Sequence, residues 1–235
     1  MIGYINKIET LGLVDGPGVR FVVFMQGCPL RCLFCHNPET WQIKNGEEYT
    51  PEKLVEKVLR YKNYFGKHGG VTFSGGEPLL QTEFLIETCK LLKKENINIC
   101  LDTSGVGTTN YKILDYIDLV ILDIKGIDEL TYRNMTSYPI NKSLEFLKIC
   151  QEKNKKLWLR QVIVPGINDN EKYIYKLKEF IKPLKNVEKI ELLPYHTMGV
   201  NKYKELNINY PLLEVPSMDK EKCLELEKIL KDNLD

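Results

Sequence analysis

The chain has almost no net charge and no long apolar run. Its 235 residues include 33 Lys and Arg against 32 Asp and Glu, which leaves a net charge of +1. No overall field therefore favours nucleic acid or an acidic membrane surface, so any charged ligand has to be held by local groups. No stretch approaches the roughly 18 apolar residues that span a bilayer, and residues 1–7 lack the basic start of a signal peptide. We therefore expect a cytoplasmic protein that binds neither nucleic acid nor membrane.

The chain has few cysteines for a disulfide-rich protein, and their number is odd. Seven cysteines are too few for a disulfide scaffold in a chain of this length, and they cannot all pair. In a reducing cytosol, cysteines point to metal binding or catalysis instead. Cys28, Cys32 and Cys35 lie within eight residues of one another. The remaining cysteines, which we expect to be small buried hydrophobic residues, are Cys89, Cys100, Cys150 and Cys223.

No low-complexity linker or Pro/Ser-rich stretch divides the chain, so we expect one domain over residues 1–235. Apolar and β-branched runs predict buried strands at residues 21–26, 70–74, 97–101, 119–123, 157–164 and 189–193. Helical periodicity predicts helices at residues 51–65, 82–95, 141–153, 171–182 and 219–233. Thr50 is the expected N-cap of the first helix, with Pro51 at its first position.

Strands that alternate with helices predict a parallel sheet with right-handed crossover connections. Six repeats are fewer than the eight of a closed TIM barrel. The predicted fold is therefore α/β, an open partial (β/α)6 TIM-like barrel, with a flat doubly wound sheet as the second choice. In either fold, ligands bind at the carboxyl ends of the strands.

Chemically distinctive residues follow five of the six predicted strands. Cys28 follows the first strand, residues 74–78 the second, residues 102–105 the third, residues 123–125 the fourth, and residues 194–196 the sixth. Because the carboxyl ends of parallel strands meet at one edge of the sheet, these loops are expected to converge on one site.

The three clustered cysteines have Cys-x3-Cys-x2-Cys spacing. They fit a zinc site with His36 as fourth ligand, although structural zinc ligands usually arrive as two separated pairs. A ferredoxin-type cluster needs four cysteines, and the next one, Cys89, lies in a predicted helix. Three ligands on a four-iron cluster leave one iron open, and an open metal position is where substrate chemistry occurs.

This segment resembles the signature of the radical S-adenosylmethionine (SAM) superfamily. The resemblance rests on Cys28, Cys32 and Cys35, on Phe34 just before the third cysteine, and on the Gly-Gly-Glu-Pro turn at residues 75–78. It implies a [4Fe-4S] cluster held by the three cysteines, with SAM on the open iron. Reductive cleavage of SAM would then yield methionine and a 5′-deoxyadenosyl radical that abstracts a hydrogen atom from the substrate.

The resemblance also implies roles for the other loops. Residues assigned to SAM are Phe34, Cys35, His36, Gly75, Gly76, Asp123, Ile124, Lys125 and His196. Asp102 and Thr103 join Asp123 in an oxygen-rich site for a monovalent cation. Simpler interpretations remain open: an ordinary strand-to-helix turn at the glycines, surface histidines, and a structural ion pair between Asp123 and Lys125.

The segment Asp-Gly-Pro-Gly-Val-Arg at residues 15–20, together with residues 26–28 and 35–41, resembles the activating enzymes of glycyl radical enzymes. Many of these carry an inserted ferredoxin-like module, but residues 37–74 contain no cysteine, which favours the branch that acts on pyruvate formate-lyase. The implied reaction removes a Cα hydrogen from one glycine of pyruvate formate-lyase, the protein substrate. The implied electron donor is of flavodoxin or ferredoxin type, and we expect a monomer.

Two charged residues are candidates for contact with the substrate peptide. Asp15 is expected to accept amide hydrogen bonds from the backbone around the glycine, although an ordinary Asp-Gly turn is the alternative. Arg160 lies on a predicted strand, where a buried cation needs a partner: a SAM or substrate carboxylate, or an internal acid such as Glu191. Two wider alternatives remain, namely activation of a different glycyl radical enzyme and a zinc or iron–sulfur binding module.

Overall fold

The computed structural model describes residues 1–232. They form one eight-stranded sheet with the order β3-β1-β2-β4-β5-β6-β7-β8. The strands are β1 Gly3–Gly12, β2 Arg20–Met25, β3 Glu47–Tyr49, β4 Gly70–Gly75, β5 Asn98–Thr103, β6 Leu119–Asp123, β7 Lys156–Ile163 and β8 Val187–Pro194. The helices are α1 Pro51–Leu59, α2 Thr82–Lys94, α3 Glu129–Thr136, α4 Asn141–Glu152, α5 Glu171–Ile181, α6 Val200–Glu205 and α7 Lys220–Lys231.

The six strands β2, β4, β5, β6, β7 and β8 are parallel and lie side by side in chain order. A doubly wound sheet would reverse its strand order at a switch point, and this sheet does not. The strands at its two ends, β3 and β8, are not paired with each other. The predicted open (β/α)6 barrel is therefore confirmed, and the second choice is wrong.

The predicted strands correspond to the six parallel strands, with ends that differ by no more than two residues. Two antiparallel strands were not predicted: β1, which pairs with β2, and β3, which pairs with β1. The residues of β1 alternate between buried and solvent-facing positions and include Lys7 and Glu9, so they form no apolar run. The strand β3 has only three residues, two of them exposed glutamates.

The predicted helices are present, with one boundary error and one end that is not described. The first helix stops at Leu59 instead of residue 65, and a separate 3-10 turn, Lys62–Tyr64, follows. The last helix has Asp219 as its N-cap and extends to Lys231, while the predicted end at Asn233 lies outside the described residues. The helices α3 and α6 have only eight and six residues, and the sequence analysis did not predict them.

The two faces of the parallel strands bury different kinds of residue. The face toward the helices contributes to a large apolar core that includes Phe21, Phe73 and Leu101. On the opposite face, Cys100, Leu119 and Ile121 form a small separate cluster against Trp158. Alternate residues of a strand share a face. Most of the other side chains on this inner face of the parallel strands are polar or charged. The barrel interior can therefore bind polar groups.

The four cysteines outside the triad, Cys89, Cys100, Cys150 and Cys223, are free and buried, as expected from the sequence. None of the helices within residues 1–232 is long and apolar enough to cross a membrane.

The N-cap of α1 provides a test of local stability away from the site. The side chain of Thr50 accepts a hydrogen bond from the backbone N–H of Lys53 at 3.2 Å. Replacing Thr50 by Ala leaves this N–H without its partner, so we expect the free energy of unfolding to fall by about 1 kcal/mol. Denaturant unfolding followed by circular dichroism measures the change. Thr50→Ser keeps the oxygen and should stay close to the unmodified protein; equal stability of Thr50→Ala would contradict the assigned cap.

Candidate functional site

A cavity lies at the carboxyl ends of the parallel strands, and the loops after β2, β4, β5 and β6 contribute to its wall together with Val162 of β7. Its lining includes Cys28, Cys32, Phe34, Cys35, His36, Gly75, Gly76, Asp102, Thr103, Asp123 and Lys125. These residues were all predicted from the sequence to form one site, and the structure brings them together. Of the other predicted residues, Ile124 is buried in the core, His196 packs against His36, and Asp15 and Arg160 interact elsewhere in the barrel.

The cysteine loop is held by backbone hydrogen bonds on two sides. On one side, the N–H of Gly27 donates to the carbonyl of Thr40 at 2.6 Å, and that of Cys28 donates to Trp41 at 3.3 Å. On the other side, two bonds connect the loop to the last turn of α3. The donors and acceptors there are Arg31 to Thr136 at 2.8 Å and Leu33 to Met135 at 2.9 Å. Backbone hydrogen bonds therefore hold the cysteine loop in place on both sides.

The three thiols lie close enough to affect one another electrostatically, and Cys32 is buried while Cys28 and Cys35 are partly buried. Burial is the main cause that raises the pKa of Cys28, Cys32 and Cys35, and for Cys32 the value reaches about 12. Neighbouring thiols of the triad contribute further to each of the first two shifts. Metal-binding cysteines must be thiolates, so a strongly cationic centre is what would offset burial and repulsion here. The donor set thus fits a thiolate-bound metal centre.

The spacing of the side chains bears on the kind of metal centre. Within residues 1–232, no three His, Cys, Asp or Glu side chains are close enough together to hold a single metal ion. A four-iron cluster does not require such an arrangement, since each of its cysteines binds a different iron. The three thiols around one cavity therefore suit a cluster better than a mononuclear zinc site.

The two glycines of the Gly-Gly-Glu-Pro turn are required by close backbone packing. Gly75 has a φ of +108°, and a Cβ atom there would lie 2.4 Å from the backbone nitrogen of Met25. A Cβ atom on Gly76 would lie 2.3 Å from the carbonyl oxygen of Gly27. The backbone N–H of Glu77 also donates to Gly27 at 2.7 Å. The turn is therefore packed against the residue that precedes Cys28, and only glycine fits there.

Glu77 is a buried residue of the motif, and the sequence analysis assigned it no role. Its side chain is buried and accepts four hydrogen bonds, two on each carboxylate oxygen. The donors are the backbone N–H groups of Leu79 and Ser104 and the hydroxyls of Thr103 and Ser104. These bonds connect the turn after β4 to the end of β5. No local sequence signal reveals this role, because three of the four donors come from residues 103 and 104, one strand later.

Asp123 and Lys125 form an ion pair in the cavity wall, with 2.8 Å between the Lys125 nitrogen and the carboxylate. This is the structural pair that the sequence left open. Although burial would lower the pKa of Lys125, the charges of Asp123 and Cys32 raise it well above its usual value. The ammonium group also lies 5.3 Å from the centre of the Phe34 ring. Lys125 is therefore a fixed positive charge beside the cysteine triad.

Asp102 is the second carboxylate of this wall. The hydroxyl of Ser74 donates to it at 2.7 Å. Burial, followed by the charge of Asp123, raises the pKa of Asp102 to about 7, while Arg160 acts in the opposite direction. Thr103 contributes differently, because its hydroxyl donates to Glu77 at 2.5 Å and accepts from the N–H of Gly105 at 2.9 Å.

The two predicted histidines stack on each other at the edge of the cavity. Their ring centroids are 3.9 Å apart, and the Nε2 atom of His36 lies 2.9 Å from the carbonyl oxygen of His196. Within the described residues, the Nδ1 atom of His196 is buried and has no hydrogen-bond partner. Burial lowers the pKa of both rings, so the neutral forms are favoured. The pair offers a flat surface and a free polar atom.

Asp15 and Arg160 lie on the interior side of the barrel. The hydroxyl of Thr72 donates to the carbonyl of Asp15 at 2.7 Å. Arg160 donates to the carbonyl of Val14 at 2.6 Å and to the carboxylate of Glu191 at 3.0 Å. The internal acid proposed as one partner of Arg160 is therefore present. Burial raises the pKa of Asp15, and the charge of Arg160 lowers it.

The fold and the site together define a class of enzymes: an open α/β barrel with three cysteines around a cavity at the carboxyl ends of its strands. A sequence model of the radical SAM superfamily matches residues 22–177, from β2 into α5. The chain is therefore a radical SAM enzyme, and this class implies a [4Fe-4S] cluster and SAM as cofactors.

Relatives that match nearly the whole chain identify the family within this superfamily. The chain is 52% identical over 237 residues to the pyruvate formate-lyase-activating enzyme of Clostridium pasteurianum, and the match covers 100% of both chains. It is 43% identical over 242 residues to the pyruvate formate-lyase-activating enzyme of Staphylococcus epidermidis, covering 98% of this chain and 96% of that one. Within the radical SAM superfamily, the chain belongs to the family of pyruvate formate-lyase-activating enzymes.

Solved structures support the fold. A domain of a pyruvate-formate lyase-activating enzyme from Bacteroides vulgatus has a TM-score of 0.56 at 27% identity, covering 70% of this chain and 94% of that one. QueE from Escherichia coli has a TM-score of 0.57 at 18% identity, covering 93% of this chain and 94% of that one. The second likeness concerns the fold alone.

The four hydrogen bonds to Glu77 can be tested through their contribution to the stability of the fold. In Glu77→Gln, an amide NH2 group replaces one of the two carboxylate oxygens. The two donors that this oxygen accepts from are then left unpaired in a buried place. We expect the free energy of unfolding to fall by about 1–3 kcal/mol. Denaturant unfolding of the reduced, metal-free protein measures it. Glu87→Gln, on the exposed face of α2, should change stability by less than about 0.5 kcal/mol. If the two variants were equally stable, Glu77 would not be the acceptor assigned here.

Proposed function

We propose that this enzyme uses a [4Fe-4S] cluster and SAM to remove a Cα hydrogen from one glycine of pyruvate formate-lyase, leaving a glycyl radical on that protein. The observation that supports the proposal most strongly is the placement of three thiols, one buried and two partly buried, around one cavity at the carboxyl ends of the strands. The names of the relatives that match the whole chain supply the substrate.

Cys28, Cys32 and Cys35 would hold the cluster. When bound, the cluster and SAM supply the reductive cleavage that produces the hydrogen-abstracting 5′-deoxyadenosyl radical. The chain itself holds the thiols in place, provides the positive charge of Lys125 beside them and encloses the cavity. The burial of Cys32 and Phe34, which are 9% and 7% exposed, helps to exclude water from the triad.

The residues that would bind SAM lie around the same cavity or at its edge. Lys125 is suited to a carboxylate or a ribose, and the backbone carbonyls of Gly75 and Gly76, residues that line the cavity, would accept hydrogen bonds from an ammonium group. The neighbouring rings of His36 and His196 offer an aromatic surface and an unpaired polar atom for the adenosine. The other proposed contacts are Phe34, Cys35, Asp123 and Ile124.

A monovalent cation would be held by Asp102, Thr103 and Asp123. Two neighbouring carboxylates in a buried wall repel each other, and the raised pKa of Asp102 reflects this after burial. A cation between them would relieve the repulsion, and its preferred ligands are oxygen atoms. Because Glu77 and Gly105 already engage the Thr103 hydroxyl, Thr103 would contribute its backbone carbonyl instead.

The substrate glycine loop would meet Asp15 and Arg160 inside the barrel. Both lie on the polar inner face, where Thr72 and Arg160 position the backbone of residues 14 and 15. The carboxylate of Asp15 would accept amide hydrogen bonds from the substrate backbone. Arg160, already engaged by Glu191 and Val14, would keep this segment in place and would add positive charge next to the peptide.

The wider setting follows from the same proposal. Residues 1–235 would function as one radical SAM domain, as a monomer, with an electron donor of flavodoxin or ferredoxin type. The seven free cysteines suit a reducing compartment, which supports a cytoplasmic location.

The proposed reaction is tested by anaerobic reconstitution with iron and sulfide, followed by incubation with SAM, a one-electron reductant and inactive pyruvate formate-lyase. We expect about four irons and four sulfides per chain. We also expect 5′-deoxyadenosine and the EPR doublet of a glycyl radical on the lyase, and loss of both in Cys28→Ala. One zinc without sulfide would favour a zinc-binding module. SAM cleavage with a radical on another glycyl radical enzyme, but none on the lyase, would show that the substrate assignment is wrong.

The role of Asp15 is tested by Asp15→Asn, which keeps the shape of the side chain and removes its charge. Losing a charge-assisted hydrogen bond of about 1.5–3 kcal/mol should weaken the transfer of the radical to the lyase about tenfold or more. SAM cleavage without the protein substrate should change less than about twofold. Glu9→Gln is the control, because Glu9 also acts on Asp15 but is exposed on β1. Equal losses in both reactions would argue against a peptide contact.

A further inference from the structure

Tyr203 carries a buried hydroxyl with no partner. The residue is 1% exposed, and within the described part of the chain its hydroxyl forms no hydrogen bond of acceptable geometry. Buried polar groups in native proteins are normally paired, so each exception calls for an explanation. Neither the sequence analysis nor the predicted site included this residue.

The helix α6, which contains Tyr203, contacts the segment that follows Cys35. On the preceding residue, the ammonium group of Lys202 donates to Asn37 at 2.8 Å and pairs with Glu39 at 2.5 Å. Just before the helix, Gly199 lies so near the loop that a Cβ atom on it would be 2.9 Å from the Cα atom of His36. Both contacts are with the residues that directly follow Cys35. The position of Tyr203 relative to the triad is therefore set by its neighbours.

The ring of Tyr203 packs between two other aromatic rings. It meets Trp41 edge-on, with the ring centroids 5.9 Å apart, and the backbone carbonyl of Trp41 accepts from the N–H of Cys28. On its other side it meets Tyr210 edge-on at 4.8 Å. The hydroxyl of Tyr210 is itself satisfied, because it lies 2.8 Å from that of Tyr195. Two neighbouring tyrosines thus share one environment, yet only Tyr203 lacks a partner.

The thiols of the triad are the groups that act on this hydroxyl. Burial raises the pKa of Tyr203, and the next largest causes are the charges of Cys35 and Cys32. A negative charge nearby favours the protonated phenol, so the group remains an O–H donor, and it lies near enough to Cys35 and Cys32 for their charges to act on it. Thiolates and the sulfides of a cluster are acceptors, and they become stronger acceptors as negative charge accumulates on the cluster.

We propose that the Tyr203 hydroxyl donates a hydrogen bond to the sulfur of Cys35 when the cluster is bound, and that this bond raises the reduction potential of the cluster. The inference rests on the proposed function, since it needs a cluster on the triad. Tyr203 is a positioning residue and not a catalytic one. A donor to a ligating sulfur stabilises the reduced cluster, which carries one more negative charge, more than the oxidised cluster.

The test compares Tyr203→Phe with Tyr210→Phe after anaerobic reconstitution. Iron and sulfide are measured first, and the midpoint potential is then determined by a redox titration that follows the EPR signal of the reduced cluster. We expect unchanged iron and sulfide in both variants, a more negative potential in Tyr203→Phe and an unchanged potential in Tyr210→Phe. A full cluster with an unchanged potential in Tyr203→Phe would overturn the proposal, as would an equal shift in both variants.

A second measurement decides the case in which Tyr203→Phe fails to hold its cluster. Incorporation of 3-fluorotyrosine at position 203 keeps the ring and strengthens the O–H donor. The proposal then requires a shift toward a less negative potential, and no shift would overturn it. Failure of the proposed function is distinguishable from failure of this inference. The unmodified protein would hold no iron and sulfide in the first case, whereas in the second it would hold a cluster that is insensitive to position 203.

Discussion

The placement of one buried and two partly buried thiols next to one another is the constraint on which the rest of the site depends. Burial and mutual repulsion both oppose thiolate formation, so the arrangement becomes favourable only around a cationic centre. The cysteine loop is held by backbone hydrogen bonds, which do not depend on the charge state of the thiols. Gly27, Arg31 and Leu33 donate to three carbonyls from two separate segments. The geometry of the ligands is thus fixed by groups that do not titrate.

In the interior of the barrel, several buried or partly buried charges have a fixed partner. Asp123 pairs with Lys125, and Arg160 pairs with Glu191. Arg20 is fully buried, and its guanidinium donates to Thr72 and Asn98 instead of to a carboxylate. Since Thr72 in turn donates to the carbonyl of Asp15, Arg20 supports the segment that precedes its own strand. The polar interior is therefore an ordered network that extends from this segment toward the cavity.

The sequence predicted the parallel strands and most of the cavity wall, and the physical reasons are general. Strands buried on both faces form continuous apolar runs, and parallel strands direct their carboxyl ends to one edge. The same reasoning could not find β1, whose alternating residues include Lys7 and Glu9. It also could not assign Glu77, because the donors that define its role come from the next strand. Roles that depend on distant partners leave no local pattern.

The elements α3, α6 and β1, which were not predicted from the sequence, have one feature in common. They lie outside the six-strand repeat and contact the segments that form the site. The α3 helix supplies two carbonyls to the cysteine loop, and α6 contributes Lys202. The strand β1 is connected through Gln81, whose amide exchanges hydrogen bonds with the backbone of Tyr4 and also donates to the carbonyl of Gln26. The repeat provides the strand ends, whereas these additions determine how tightly the loop is held. A change in the additions can therefore alter the environment of the sulfurs while the three ligands stay the same.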